Sequence, residues 1–289
     1  TAVSYVRSGS STLATVVGSP STILRSTDEG RSWIRADIDT LRHLFGVSFA
    51  NTSVGAIAGT VSRIFRTTDG GVQWETVKTP ADTLLYDVFH VDEQLLYAVG
   101  GAGRVIRSSD GGDSWELQQS SSTTALRAVY FTDADHGVAV GDFATIQRTT
   151  DGGKLWQTVY APVPANESLT AVDFPDAQTG YIIGTNGTLL KSVNGGADWE
   201  QADAGTRNHL GDVDFVDAST GTIVGAYNSI LRTGTGGTTA AQSLPPVREG
   251  FQLQQNYPNP FNPSTVIPVS IATAGRIRLR VFDQLGREI

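Results

Sequence analysis

Four aspartates recur at one place along this chain, Asp28, Asp69, Asp110 and Asp151, and Asn194 takes the same place a fifth time. Carboxylates at constant spacing invite a metal-binding or acid–base reading, since convergent carboxylates hold hard cations and cleave glycosides. Their surroundings point elsewhere. Each lies in the same phrase: Ser26-Thr-Asp-Glu-Gly-Arg-Ser-Trp33, Thr67-Thr-Asp-Gly-Gly-Val-Gln-Trp74, Ser108-Ser-Asp-Gly-Gly-Asp-Ser-Trp115, Thr149-Thr-Asp-Gly-Gly-Lys-Leu-Trp156 and Ser192-Val-Asn-Gly-Gly-Ala-Asp-Trp199. The tryptophans Trp33, Trp74, Trp115, Trp156 and Trp199 step by 41, 41, 41 and 43 residues, and a sixth phrase, Thr233-Gly-Thr-Gly-Gly237, keeps only the glycines. One acid per repeat belongs to one turn per repeat, so these acids cannot meet on a substrate. Their expected role is structural: the Ser/Thr and Asp oxygens accept turn N–H groups while the glycines supply positive φ.

A second acidic set, Asp87, Asp173, Asp212 and Asp214, falls on the first apolar run of its repeats. Of these, Asp173 and Asp214 are the candidates for a carboxylate pair across a cleft, the requirement for glycoside hydrolysis. The loops beside them are short, whereas a polysaccharide cleft needs longer walls. A cation also stands three residues before each turn position, at Arg25, Arg66, Arg107, Arg148, Lys191 and Arg232. This row is either a binding ring or a set of ion pairs within or between neighbouring repeats. The histidines His43, His90, His136 and His209 share no ligand spacing, and there is no Cys, so no metal site and no cofactor are expected.

These residues must be positioned by β-strands. In the fourth repeat the runs are Leu126–Phe131, Gly137–Gly141, Thr145–Thr149 and Leu155–Val159, here called strands A to D. Each is rich in β-branched and aromatic residues and bounded by turn formers, and no helical period emerges in the first 235 residues. Four-stranded units of about 40 residues in tandem predict an all-β fold, a β-propeller with each unit a blade around a central channel. Strand A recurs around Val3, Val47, Val88, Val129, Val172 and Val213, which gives six blades, with the sixth strand D left to the weak stretch 240–244 and a seventh blade left open.

The repeated turn resembles the Asp-box, or bacterial neuraminidase repeat, and Ile64-Phe-Arg-Thr-Thr-Asp-Gly-Gly-Val-Gln-Trp74 is similar to blades of the photosystem II assembly-factor family over residues 1 to about 240. In that family an arginine-rich surface is associated with partner binding. A sialidase's arginine triad, Tyr nucleophile and Asp acid/base cannot be placed on this sequence. After Leu-Pro-Pro-Val-Arg-Glu-Gly250 the grammar changes. Asn256-Tyr-Pro-Asn-Pro-Phe-Asn-Pro-Ser-Thr265 and Val281-Phe-Asp-Gln-Leu-Gly-Arg-Glu288 resemble the C-terminal sorting domain of type IX secretion in Bacteroidota, a small β-sandwich. The expected organisation is a propeller over 1–243, a linker over 244–250 and the first half of a sorting domain over 251–289.

The chain has 289 residues, 21 basic and 29 acidic, for a net charge of -8, which disfavours nucleic acid as a partner. It has no Met, so Thr1 is expected to be a processed or internal start, and no apolar run is long enough to span a bilayer. Binding is expected on the face made by the D-to-A and B-to-C loops, through Arg42, His43, Arg63, Arg104, Arg127, Arg207, His209 and Tyr227. The expected function is noncatalytic binding or assembly, with a protein or glycan ligand on that face. The sorting resemblance implies contact with the type IX machinery and a secreted or outer-membrane-surface location. The alternative is a sialidase-like or glucanase-like propeller hydrolase.

Overall fold

The computed structural model describes residues 2–36, 38, 43–60, 62–236, 242–243, 251–253 and 269–271. Arg42, the 244–250 linker and both sorting-type motifs lie outside the described residues. Two compact units are resolved, Thr1–Leu244 and Pro245–Ile289. Within the second, Phe251–Leu253 pairs antiparallel with Val269–Ile271.

The first unit is a β-propeller of six blades, each hydrogen-bonded in the order A-B-C-D. Strand A is Ala2–Ser8, Leu44–Phe49, Leu85–His90, Leu126–Phe131, Leu169–Asp173 and Leu210–Phe215 in successive blades. The B strands of blades two to five are buried at every position, because each is covered on both faces. Blade four gains a fifth strand: Gln119–Ser120, arriving from blade three, pairs parallel with Leu155–Trp156 and covers that outer edge. Among the described residues no helix is long and apolar enough to cross a membrane.

Each C-to-D turn is closed by its own side chains. In blade two, Thr67 Oγ1 donates to Asp69 Oδ1 at 2.8 Å and accepts the Gly71 N–H at 2.9 Å. Asp69 Oδ1 also accepts the N–H groups of Val72 and Gln73, while Gly70 and Gly71 sit at φ 72° and 81°. Hydrogen bonds from Ser32, through its hydroxyl and then its N–H, lower Asp28 to about 2. At Asp110 burial pushes upward, but the hydrogen bonds of Ser114 and Ser108 outweigh it and leave that carboxyl at about 2 as well.

Of the tryptophans that follow, Trp33 stays 41% exposed and the later ones turn inward. Trp115, Trp156 and Trp199 are buried between blades, and Trp74, Trp156 and Trp199 stand edge-on to Phe49 and Phe131 of strand A and to Phe174 just after it. Those phenylalanines lie across the first glycine of strand B, so that a Cβ at Gly137 would meet the Phe131 ring at 2.6 Å. Blade three changes both partners together, pairing His90 with Leu96. The row of cations forms no ring, and Arg66 alone shows the expected ion pairs among the described residues, to Asp113 of the next blade at 3.1 Å and Glu75 of its own at 3.9 Å. Four of the six cations reach a backbone carbonyl in the next blade's turn directly: Arg25 to Gly70, Arg66 to Gly111, Arg148 to Gly195 and Lys191 to Gly236. In blade three the tyrosine hydroxyl relays the contact, Arg107 donating to Tyr97 and Tyr97 to the Gly152 carbonyl.

Candidate functional site

The innermost strands position the site through a shared irregularity. Strand A of blades two to six slips register after its buried leucine, between Leu44 and Gly46, Leu126 and Ala128, Leu169 and Ala171, and Leu210 and Asp212, with the same slip opposite Val99/Gly100 in blade three. A bulge of this kind re-aims the extra residue. Those residues are Phe45, Tyr86, Arg127, Thr170 and Gly211, and all five line one cavity of about 240 Å³ at the channel mouth, with Asp87 and Asp212 also in its wall.

Flat groups form a continuous row across three blades there. The His43 ring stacks on Phe45 at 6.4 Å, and Phe45 meets Tyr86 at 5.5 Å. The Arg127 guanidinium lies 4.4 Å from the Tyr86 ring centre, within cation–π range. Asp142 fixes it bidentately, accepting from Nε at 3.0 Å and Nη2 at 2.7 Å. The hydrogen bonds that Arg127 donates and Asp142 accepts raise Arg127 and lower Asp142, so the pair stays charged. Ser168 also donates to Asp142, and Glu167 accepts from Thr185 and Asn186, tying blade four to blade five at this rim.

Below the mouth the channel carboxylates stitch neighbouring A strands. Asp87 accepts the Val88 N–H at 2.9 Å and the Val129 N–H at 3.0 Å. Asp173 accepts the Phe215 N–H at 2.6 Å. Burial pushes Asp87 up to about 7 and Asp173 up to about 6, with Asp212 adding to the rise at Asp87 and Asp214 at Asp173. Asp212 is raised for the same reason although it keeps solvent access along the channel. Tyr130 donates to the Phe174 carbonyl and, crowded first by burial and then by Asp173 and Asp214, rises to about 12.

The binding residues read from the sequence are therefore only partly gathered. His43 and Arg127 join the mouth, Arg127 as a strand-A residue instead of a loop residue. Arg63 opens strand C of blade two, and Arg104 lines a separate polar concavity with Gln118, Ser120 and Ser122. Arg207 and His209 are exposed in the loop before Leu210. Tyr227 and Phe143, at φ 54° and 59°, crown the B-to-C turns of blades six and four. Phe45 and Tyr86 were missed, although both follow the strand-A leucine at the position that also holds Arg127. Among the described residues no three His, Asp or Glu side chains form a group able to hold a metal ion.

The model of the photosynthesis system II assembly factor YCF48 family matches residues 114–206. No curated protein matches the sequence. A solved structure of YCF48 bound to a D1 peptide superposes with a TM-score of 0.69 at 17% identity, covering 93% of this chain and 88% of that one. The chain shares its fold with that propeller. YCF48 from Cyanidioschyzon merolae follows at TM-score 0.66 and 18% identity, covering 88% of each chain. The Niastella koreensis GH74 enzyme matches at 0.67 and 14%, with 83% of this chain covering 44% of that enzyme.

Proposed function

We propose that the propeller is a noncatalytic binding module that takes a peptide segment of a protein at its channel mouth. The row His43, Phe45, Tyr86 and Arg127 carries this reading, because it offers flat faces and an ordered guanidinium beside one cavity. Aromatic and arginine anchors dominate the energetics of peptide recognition. The likeness to a YCF48 structure holding a D1 peptide supports it. Asp173, by contrast, already spends one oxygen on the Phe215 N–H, which favours binding over hydrolysis.

The test is a peptide array read by the chain and by Tyr86→Ala. Loss of at least about tenfold in affinity for captured peptides, the cost of removing one such anchor, with unchanged folding, is the expected result. Peptide capture indifferent to Tyr86 overturns the assignment. So does turnover of a glycan panel that Asp173→Ala and Asp214→Ala abolish.

The sorting-type motifs after Phe251 support export to the outer-membrane surface by type IX secretion as part of the same reading. A type IX-competent host should export the chain and retain a version lacking residues 251–289. Equal export of both removes this part of the proposal.

A further inference from the structure

The bulge position that builds the channel mouth carries a flat group in blades two to four, Phe45, Tyr86 and Arg127, and shrinks to Thr170 and Gly211 in blades five and six. All five line the same cavity, so the small pair leaves room beside the flat row for one planar side chain. Nothing in the backbone demands a glycine at 211. A Cβ there would meet nothing nearer than the Val224 carbonyl oxygen at 3.7 Å, an ordinary contact. The charges of the lining are also unbalanced. Arg127, the one cation among the described residues that line the cavity, is engaged by both oxygens of Asp142. Asp87 uses one oxygen on the Val88 N–H and the other on the Val129 N–H. Asp212 accepts only the neighbouring Val213 N–H, through Oδ1. Its Oδ2 has no hydrogen-bond or ion-pair partner among the described residues, and the side chain is exposed to the channel.

We propose that this cavity takes an arginine side chain of the bound peptide as its anchor. The inference rests on the peptide reading and adds the residue class that the mouth selects. A guanidinium is planar, always charged and weakly hydrated, and it presents a fork of N–H donors. Its face stacks on the aromatic row, and its fork donates to Asp212 across the space that Gly211 leaves. Lysine brings the charge without the plane, and tyrosine the plane without the charge. Glutamate meets Asp87 and Asp212 with like charge. Asp142 acts as a positioning residue, because it holds Arg127 against Tyr86 and neutralises the charge that would repel an incoming arginine. The anchoring arginine thus comes from the ligand, whereas the family resemblance implied arginines on the propeller.

The probe is a set of capped peptides identical except for one central residue, Arg, Lys, citrulline, Tyr or Glu. Citrulline keeps the plane of arginine and loses its charge. The set is titrated against the full chain at about pH 8, where the raised channel carboxyls are ionised. The Arg peptide should bind at least about tenfold tighter than the citrulline and Glu peptides, the scale of losing one charge-assisted pair. Asp212→Asn keeps an acceptor for the Val213 N–H, so it should fold with an unchanged urea midpoint. It should reduce the Arg-over-citrulline ratio to within about twofold. Gly211→Val, which the backbone accommodates, should fill the space and weaken the Arg peptide by a similar factor. Binding that depends on Tyr86 but treats Arg, citrulline and Glu alike overturns the anchor and leaves the peptide reading standing. An Arg preference that survives both Asp212→Asn and Gly211→Val also overturns it. Failure of the whole set to bind does the same, and the array read by Tyr86→Ala decides the peptide reading separately.

Discussion

The two sets of acids illustrate how environment divides one residue type between roles. Turn carboxylates such as Asp28 and Asp110 are pulled down to about 2 by hydrogen-bond donors around them, so they are anionic at neutral pH. Asp87, crowded in the channel wall, is pushed up to about 7. The folded state thus holds a proton that the unfolded chain releases near pH 4, and stability falls as pH rises from there through about 7. His90 contributes with the opposite sign at lower pH. It is buried with both ring nitrogens unpartnered among the described residues, and burial holds it down to about 4. Unfolding therefore takes up a proton between about pH 4 and 6.5, and stability due to His90 rises across that window. Asp173, pushed up to about 6, adds a loss of the same sign, so the Asp87 share is read as the difference between the parent and Asp87→Asn. Between urea titrations at pH 6.5 and 7.5 the parent should lose more stability than Asp87→Asn does, by roughly 1 kcal/mol or less, the scale of one pKa unit. An equal loss in both proteins would show that the proton sits elsewhere in the channel.

At the scale of elements, the unit of cohesion is the contact between one strand C and the next turn. Arg148 Nε donates to the Gly195 carbonyl at 2.9 Å from a half-buried position. A charged donor on such a carbonyl contributes about 1.5 to 3 kcal/mol. Arg148→Ala should cost about that much by urea denaturation, and Arg148→Lys less, since Lys191 already makes the equivalent contact to Gly236 at 2.6 Å. Arg232→Ala, which removes an exposed guanidinium, should stay within about 0.5 kcal/mol. Comparable losses at both sites would remove the carbonyl contact as the cause. The cations themselves were legible in the sequence, as was the blade: strands Leu126–Phe131, Gly137–Gly141, Thr145–Thr149 and Leu155–Val159 coincide with the runs read from residue types alone. Their partners were not legible, because a carbonyl carries no residue identity and the contact spans 45 to 47 residues. The channel mouth was half legible for a related reason. Alternation assigns a side only while register is kept, and the slip between Leu126 and Ala128 turns Arg127 into the channel. The direction of Trp156 was hidden too, since the step from turn to strand D does not say which blade face an indole will meet.

At the scale of the molecule, stability is a chain of nearest-neighbour interfaces, and such arrays lose protection first where a neighbour is missing. Blades three to five are flanked on both sides, and their B strands are buried throughout. Among the described residues, blade six leaves one face partly exposed. Its strand B, Gly221–Gly225, contains exposed Val224, and its strand C contains exposed Ile230. Blade one is likewise bare along Val3 and Tyr5. The A-B-C-D hydrogen-bonding order shared by all six blades makes the comparison internal. Native-state hydrogen exchange should therefore rank strand B of blade six well below strands B of blades three to five. A difference of about 1 to 2 kcal/mol in opening free energy is expected, the scale of one or two half-exposed aliphatic side chains. Equal protection from blade three through blade six would mean that the ring opens only as a whole, and that cooperativity, not the local neighbour, sets the stability of each blade.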